Sequence, residues 1–478
     1  MSTIDAQSAS RNEQLIKNSF ILSLGTFVPK VITVLILPLL TAYLTIAEYG
    51  NYDLILSATS LIVPIAMLQI QQGLFRYLIS SRTAEQREAY LASSLVYVLA
   101  ISAASVPIVY AVGRMLGLDS MVSLLMCALV AAESLYLLIG QALRGTGRNL
   151  EYSLGVICYS AVNAAVIFLL VYLIPLGLRG VVVSITAAYA VAAGMMLLAV
   201  MKQCRVRLRA VSKAALKELL RFSAPIVPSS ISLWVVNLSN RFIIVYFLGA
   251  AANGIYSVAN KIPALYTTAY TIFSLSWNEM AAKVADVDDK PEKYYSVVFE
   301  KLYSFLIGAM LMIIAASPLF YKIFVHAQYY DSYYQTAILY FGVFFNSLVM
   351  YYASIYIAIK KTNRVGYSSV VGAVINIVIS LAGVSKFGLY AASVGTAVSY
   401  FAIALYRAVD INRYLRITYP FRKIAVGLLL MIVSSMAYYS RQWPGFLLCI
   451  FLAVGYNLKE NRDMIVWMKN KLLRRRNR

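Results

Sequence analysis

The sequence predicts an all-α polytopic membrane protein. It consists of two parallel six-helix bundles related by a pseudo-twofold axis along the membrane normal. About two extra C-terminal spans bring the total to ~14, with both termini cytoplasmic. Three observations predict this. Hydrophobic residues make up 61% of the 478 and charged residues only 13%, against roughly 25% charged in a soluble domain. The apolar residues gather into blocks long enough to cross the ~30 Å hydrocarbon layer. Parts of the chain also repeat at an offset of a little over 200 residues.

In chain order, residues 1–201 form the first bundle, with apolar blocks at 16–43, 51–74, 90–112, 119–141, 152–174 and 179–201. The first block is too long for a cleaved signal and has no small-residue cleavage site. Residues 202–221, KQCRVRLRAVSKAALKELLR, read as a basic amphipathic helix on the inner membrane face. The second bundle, 222–408, carries blocks at 222–248, 254–280, 300–321, 332–359, 366–384 and 388–408. Two further blocks, 424–440 and 443–458, fill 409–458, where they are placed to pack on the lipid side of one half. The tail 459–478 ends in KNKLLRRRNR and suits anionic headgroups. Pro29 and Pro38, Pro64, Pro225 and Pro228, and Pro263 fall in blocks 1, 2, 7 and 8. Each removes a backbone hydrogen bond, so bends are expected in these equivalent spans.

The repeat shows at three places. EYGNYDL at Glu48 resembles ANGIYSV at Ala252, an offset of 204. GTGRNLEY at Gly145 resembles KTNRVGYS at Lys361, an offset of 216, and each is followed by a span with an asparagine, Asn163 or Asn376. GLRGVVVSITAAY at Gly177 resembles GLYAASVGTAVSY at Gly388, an offset of 211. Six spans per unit is an even number, so the two copies share one orientation. A duplicated bundle with a cavity between its halves is the arrangement of transporters.

The net charge of +22 does not indicate nucleic-acid binding, because of where the charges lie. With the N-terminus inside, 34 of the 42 Lys and Arg fall on inner segments. Five fall on outer loops (Arg114, Arg179, Lys322, Lys386, Arg441) and three within spans. That is the positive-inside pattern. Cys127, Cys158, Cys204 and Cys449 have no paired spacing, and the single His326 is a poor metal ligand alone. No nucleophile elbow, phosphate loop or metal cluster is present, so neither an enzyme nor a bound cofactor is expected.

Charges inside spans are costly and usually face a bundle interior. Lys30 in span 1, Arg241 in span 7 and Lys261 in span 8 are the three intramembrane cations. Spans 1 and 7 are equivalent, which would let Lys30 and Arg241 face one another across a cavity. Together the three cations suit an anion such as a diphosphate, which arginine grips with two parallel bonds and lysine meets as a point charge. Glu133 in span 4 is the clearest buried acid and a candidate for proton coupling. Asp53 and Glu279 are weaker acidic candidates, and Arg76, Arg144 and Arg148 stand at the inner mouth. The 37 tyrosines, among them the outer-mouth cluster YYDSYYQ from Tyr329, suit interfacial anchoring or sugar packing.

EYGNYDL with the following QQGLFRY, LRGTGR after span 4, and NLSNRFIIVYFLGAAANGIYSVANKI together resemble the polysaccharide flippases of the Wzx type. These belong to the multidrug/oligosaccharidyl-lipid/polysaccharide exporter superfamily, and the resemblance covers essentially the whole chain. Many relatives carry an aspartate before the arginine of span 7, where this chain has Asn240. The resemblance implies export of a polyprenyl-diphosphate-linked oligosaccharide to the outer leaflet of a bacterial plasma membrane, with Lys30, Arg241 and Lys261 as cavity cations. It also implies coupling to H+, Na+ or the membrane potential, with membrane lipids and polysaccharide polymerase machinery as partners. A lipid-linked peptidoglycan precursor flippase is an alternative of similar architecture. An ion-coupled multidrug exporter fits less well, because a cationic cavity is a poor host for organic cations. A membrane-embedded polymerase or ligase would need larger outer loops.

Overall fold

The computed structural model describes residues 28–202, 207–287, 291–463 and 466, and among them there are helices and no strands. The beginning of the expected first span, part of the basic linker and most of the basic tail lie outside the described residues.

The chain divides into two compact units. The first runs to Phe242 and also takes in Gly249–Gly254, while the second holds Ile243–Leu248 and the chain from Ile255 onward. The first unit contains α1 (Val28–Tyr43), α2 (Ile46–Ala66), α3 (Ile70–Ser80), α4 (Ala84–Met115), α5 (Ser120–Gly145), α6 (Asn149–Ile167, extended by a π-helical turn to Leu173), α7 (Gly177–Met201) and α8 (Lys213–Ser223). It also holds most of the first stretch of α9 (Val227–Ala259), which is interrupted at Gly249. Helix α5 is its centre, packed against α2, α3, α4, α6 and α7, and α8, from the basic linker, lies on α3 and α4. Fully buried Leu54, Val98, Met126, Leu129, Leu143, Val181 and Met196 fill the interior.

In the second unit, α10 (Lys261–Val287), α11 (Pro291–Phe324), α12 (Ser332–Ala358), α13 (Thr362–Phe387) and α14 (Leu389–Asp410) pack around α12, with Ile307, Met310, Tyr340, Phe344, Tyr351 and Ile355 fully buried. Helices α15 (Phe421–Tyr439) and α16 (Trp443–Glu460) pack on α11. Amide side chains tie α16 down: Asn457 Nδ2 donates to Gly308 O at 3.0 Å and Asn461 Nδ2 to Ser304 O at 3.1 Å. Between apolar helices such polar contacts and small residues supply the adhesion that lipid exclusion cannot.

Among the described residues, ten helices are long and apolar enough to cross a membrane, or eleven if the bent pair α2–α3 counts as one span. Fourteen crossings were expected, and the difference has local causes. Helix α1 is described only from Val28. Helix α16 ends in Lys459 and Glu460. The expected spans 7 and 8 contribute one long apolar stretch, Leu238–Thr268. The proline reading also changes. Pro64 lies within α2, three residues before the break at Met67. Pro228 and Pro263, however, fall in the first turns of α9 and α10, where no helical N–H is lost. Helices α2 and α3 meet at 54° through Leu68 (φ 47) and Gln69 (φ 55).

The repeat is visible in backbone detail. Gly177 and Gly388, offset by 211, precede or open α7 and α14 with φ of +56° and +59°. That left-handed conformation is why glycine recurs there. The loop match at an offset of 216 is out by three residues. Both α5 and α12 end in a Schellman motif, with Arg148 N–H to Leu143 O and Lys361 N–H to Tyr356 O, both at 2.8 Å. Those ends are 213 apart, as are Asn163 and Asn376. A three-residue slip is nearly one helical turn, so the faces still match by letter.

Candidate functional site

Helix α2 organises the site. At its start Thr45 and Glu48 form a capping box, with Glu48 Oε2 accepting from Thr45 N at 2.9 Å. Glu48 Oε1 accepts from Leu178 N at 3.2 Å, which ties the beginning of α2 to the beginning of α7. Tyr49 is fully buried, and one turn further on is Asp53, 7% exposed.

Asp53 Oδ2 accepts from Arg241 Nε at 2.7 Å, and the two side chains are 10% and 14% exposed. Two further ties fix the helices that carry them. Trp234 Nε1 donates to Ser57 O at 2.9 Å, and Gln69 Nε2 donates to Ser230 Oγ at 2.8 Å. As numbers rise along α2 their partners fall along α9, so the two run antiparallel, with the ion pair toward the start of α2. A carboxylate and a guanidinium buried this way compensate one another's charge.

A second polar cluster lies in the same unit. Glu133 on α5 lies close to Thr59 on α2, Tyr159 on α6 and Tyr189 on α7. The Tyr159 and Tyr189 rings stack at 4.4 Å, and Tyr136 approaches Tyr189 at 5.0 Å. One turn beyond Tyr159, Asn163 Oδ1 is buried with no hydrogen-bond partner. Among the described residues no Lys or Arg forms an ion pair with Glu133. The acid therefore sits among hydroxyls, where it can hold or release a proton without breaking an ion pair.

The other expected residues are distributed differently. Lys30 is exposed on α1, and Lys261, half-buried, opens α10 in the second unit. Glu279 stands on α10, with its side chain outside the described set. Arg148 is committed locally: Nε reaches Glu151 Oε1 at 2.9 Å and NH1 reaches Ala199 O. Arg144 lies over the rings of Phe75 and Tyr152 at 5.2 and 5.5 Å, whereas Arg76 is exposed. The sequence offers Asp53 only as a weaker acidic candidate and Arg241 as a ligand for phosphate; their pairing is not legible in it. Residues 188 apart give no local signal of contact.

Sequence reading also missed Arg407, 1% exposed in the second unit. It donates to Val349 O at 2.7 Å, Ser368 Oγ at 2.9 Å, and Val365 O and Ser369 Oγ at 3.0 Å. Nearby Asp410 accepts from Tyr356 OH at 2.9 Å. An Arg and an Asp three residues apart at the end of an apolar block were the available signal.

The sequence matches the family described as polysaccharide biosynthesis protein over residues 15–277, more than half of the chain. No curated protein sequence matches it. Among solved structures, the lipid II flippase MurJ in an inward closed conformation is similar at 14% identity, covering 94% of this chain and 100% of that one, with a TM-score of 0.70. An inward-facing multidrug resistance MATE family transporter of the MOP superfamily is similar at 14% identity over 82% and 98% of the two chains, with a TM-score of 0.68. A MOP superfamily transporter from Pyrococcus furiosus follows at 13% identity over 84% and 95%, with a TM-score of 0.58. At these identities the likeness is one of fold.

Proposed function

The chain belongs to the polysaccharide biosynthesis protein family, and on that premise we propose that it is a flippase. In this reading it moves a polyprenyl-diphosphate-linked oligosaccharide from the inner to the outer leaflet of a bacterial plasma membrane, for surface polysaccharide synthesis. The prenyl chain stays in lipid while the glycan headgroup crosses a polar cavity by alternating access, and no bond is made or broken. The observation that carries this reading is Arg241, a guanidinium inside an apolar helix, paired at 2.7 Å with Asp53. A buried arginine is expensive in a membrane and matches a diphosphate in shape and charge. Lys30, on α1 of the same unit, is the candidate point charge that a diphosphate would also meet. Asp53 keeps Arg241 compensated when no substrate is bound, and an incoming phosphate competes for the same cation.

Glu133, beside Thr59 and two tyrosines, is the proposed site of proton coupling. Uptake of a proton there neutralises a charge in the first unit and shifts the balance between two conformations.

The test is the fate of lipid-linked oligosaccharide in a deletion strain. Accumulation of the complete repeat unit on the inner leaflet, cleared by the wild-type gene and not by R241A, is the expected result. Unchanged intermediates and normal surface polysaccharide would end this reading. A gene that cannot be deleted, with accumulating peptidoglycan precursor on depletion, would move the substrate to that lipid.

A further inference from the structure

The second unit contains a cavity of about 570 Å³ between the end of α11, the start of α12 and the α15–α16 turn. By the charge asymmetry this lies on the outer face. Ligand pockets typically run to ~300–1,000 Å³, so it has room for one headgroup and the upper part of one chain. Lys322 and Arg441 line it, two of the five Lys and Arg on outer loops, and its lining includes no acid.

Arg441 is built into place. Its backbone is left-handed, with φ 52, and its NH2 donates to Tyr330 O at 3.3 Å. Its guanidinium lies over the rings of Tyr333 and Tyr334 at 4.8 and 4.4 Å. Those rings are themselves fixed. Tyr333 and Tyr438 stack at 3.8 Å and exchange hydroxyl-to-carbonyl bonds, both at 3.0 Å. Tyr439 OH donates to Tyr334 O at 2.7 Å. The other wall is apolar, with Pro318, Phe446, exposed Leu319 and Trp443, the last 76% exposed. A tyrosine floor, a preset guanidinium and a tryptophan at the rim are the chemistry of the membrane–water interface.

We propose that this cavity binds an anionic phospholipid of the outer leaflet. The headgroup phosphodiester meets Arg441 and Lys322, and the first part of an acyl chain lies along Leu319, Phe446 and Trp443. Charge complementarity selects this occupant: two cations without an acid at the rim of an apolar wall match a phosphate at the head of an apolar chain. The bound lipid joins α15 and α16 to α11 and α12 on this face. The site lies within the second unit and does not depend on what the chain transports.

The test uses the full-length protein in detergent, with lipid retention read by native mass spectrometry and stability by thermal unfolding. Phosphatidylglycerol is expected to be retained and to raise the Tm, while diacylglycerol of the same chains and inorganic phosphate do not. R441Q should weaken retention about tenfold, the loss of one charge-assisted bond, and K322Q should weaken it in the same direction. L319W, which keeps both cations and narrows the cavity along its apolar wall, should reduce lipid retention, and with K322Q it carries the test if R441Q does not fold. Equal retention by wild type, K322Q and L319W would overturn the proposal. So would equal stabilisation by diacylglycerol, which would make the site purely apolar, or by inorganic phosphate, which would make it an ion site.

Discussion

Arg241 and Asp53 show how one contact changes the meaning of two residues. Each alone is an intramembrane charge that invites a ligand; together, 2.7 Å apart and nearly buried, they are also part of what holds α9 to α2. R241A leaves Asp53 without its cation and should cost ~3 kcal/mol, read as a lower Tm in detergent. The double variant D53N/R241Q removes both charges and should recover most of that loss. If the arginine also meets substrate phosphate, the double variant will be stable and yet fail to restore surface glycan; restored glycan would make the pair purely structural. Glu133 is the residue proposed for coupling. By the repeat offset of 213 its counterpart is Asn346, so only the first unit carries an acid at this position. E133Q preserves the size and polarity of the side chain and should fold normally, but transport in proteoliposomes should lose its response to a pH gradient. An unchanged response would remove Glu133 from coupling.

At the scale of elements, the motif EYGNYDL is explained by position. Glu48 caps α2 and reaches α7, Tyr49 is core, and Asp53 holds Arg241. Gly50 is there for close approach. A Cβ on it would fall 1.8 Å from Ala250 O, and one on Gly254 would fall 2.2 Å from Ile46 O. The two glycines occupy the same place in the repeat, 204 residues apart, and Asn253 Nδ2 donates to Gly50 O at 2.8 Å between them. This segment docks on α2 inside the first unit. G50V and G254V should each cost ~1–3 kcal/mol by overpacking, seen as a lower Tm. A value near zero for both would mean that the helices separate without penalty. The break between α2 and α3 is the opposite case. Leu68 and Gln69 adopt left-handed backbone without being glycine, and nothing in the letters LQ announced it.

For the molecule as a whole, the positive-inside count predicts which loops face outward. Single cysteines at Asp119 and Asp331 should react with a membrane-impermeant maleimide in intact spheroplasts. One at Thr146 should react only after lysis. The reverse pattern would invert the topology. The sequence by itself determined the all-helical membrane class, the duplication and the residue types that carry charge into the spans. Those follow from composition and periodicity, which are local properties of the chain. Only the tertiary structure decided that Asp53 neutralises Arg241, that Glu133 sits with Thr59 and tyrosines, that Arg407 is a buried clamp, and that the loop repeat has an offset of 213. Each depends on contacts between residues tens to hundreds of positions apart. A helical pattern shows which face is apolar, and it does not name the neighbour that the face will meet.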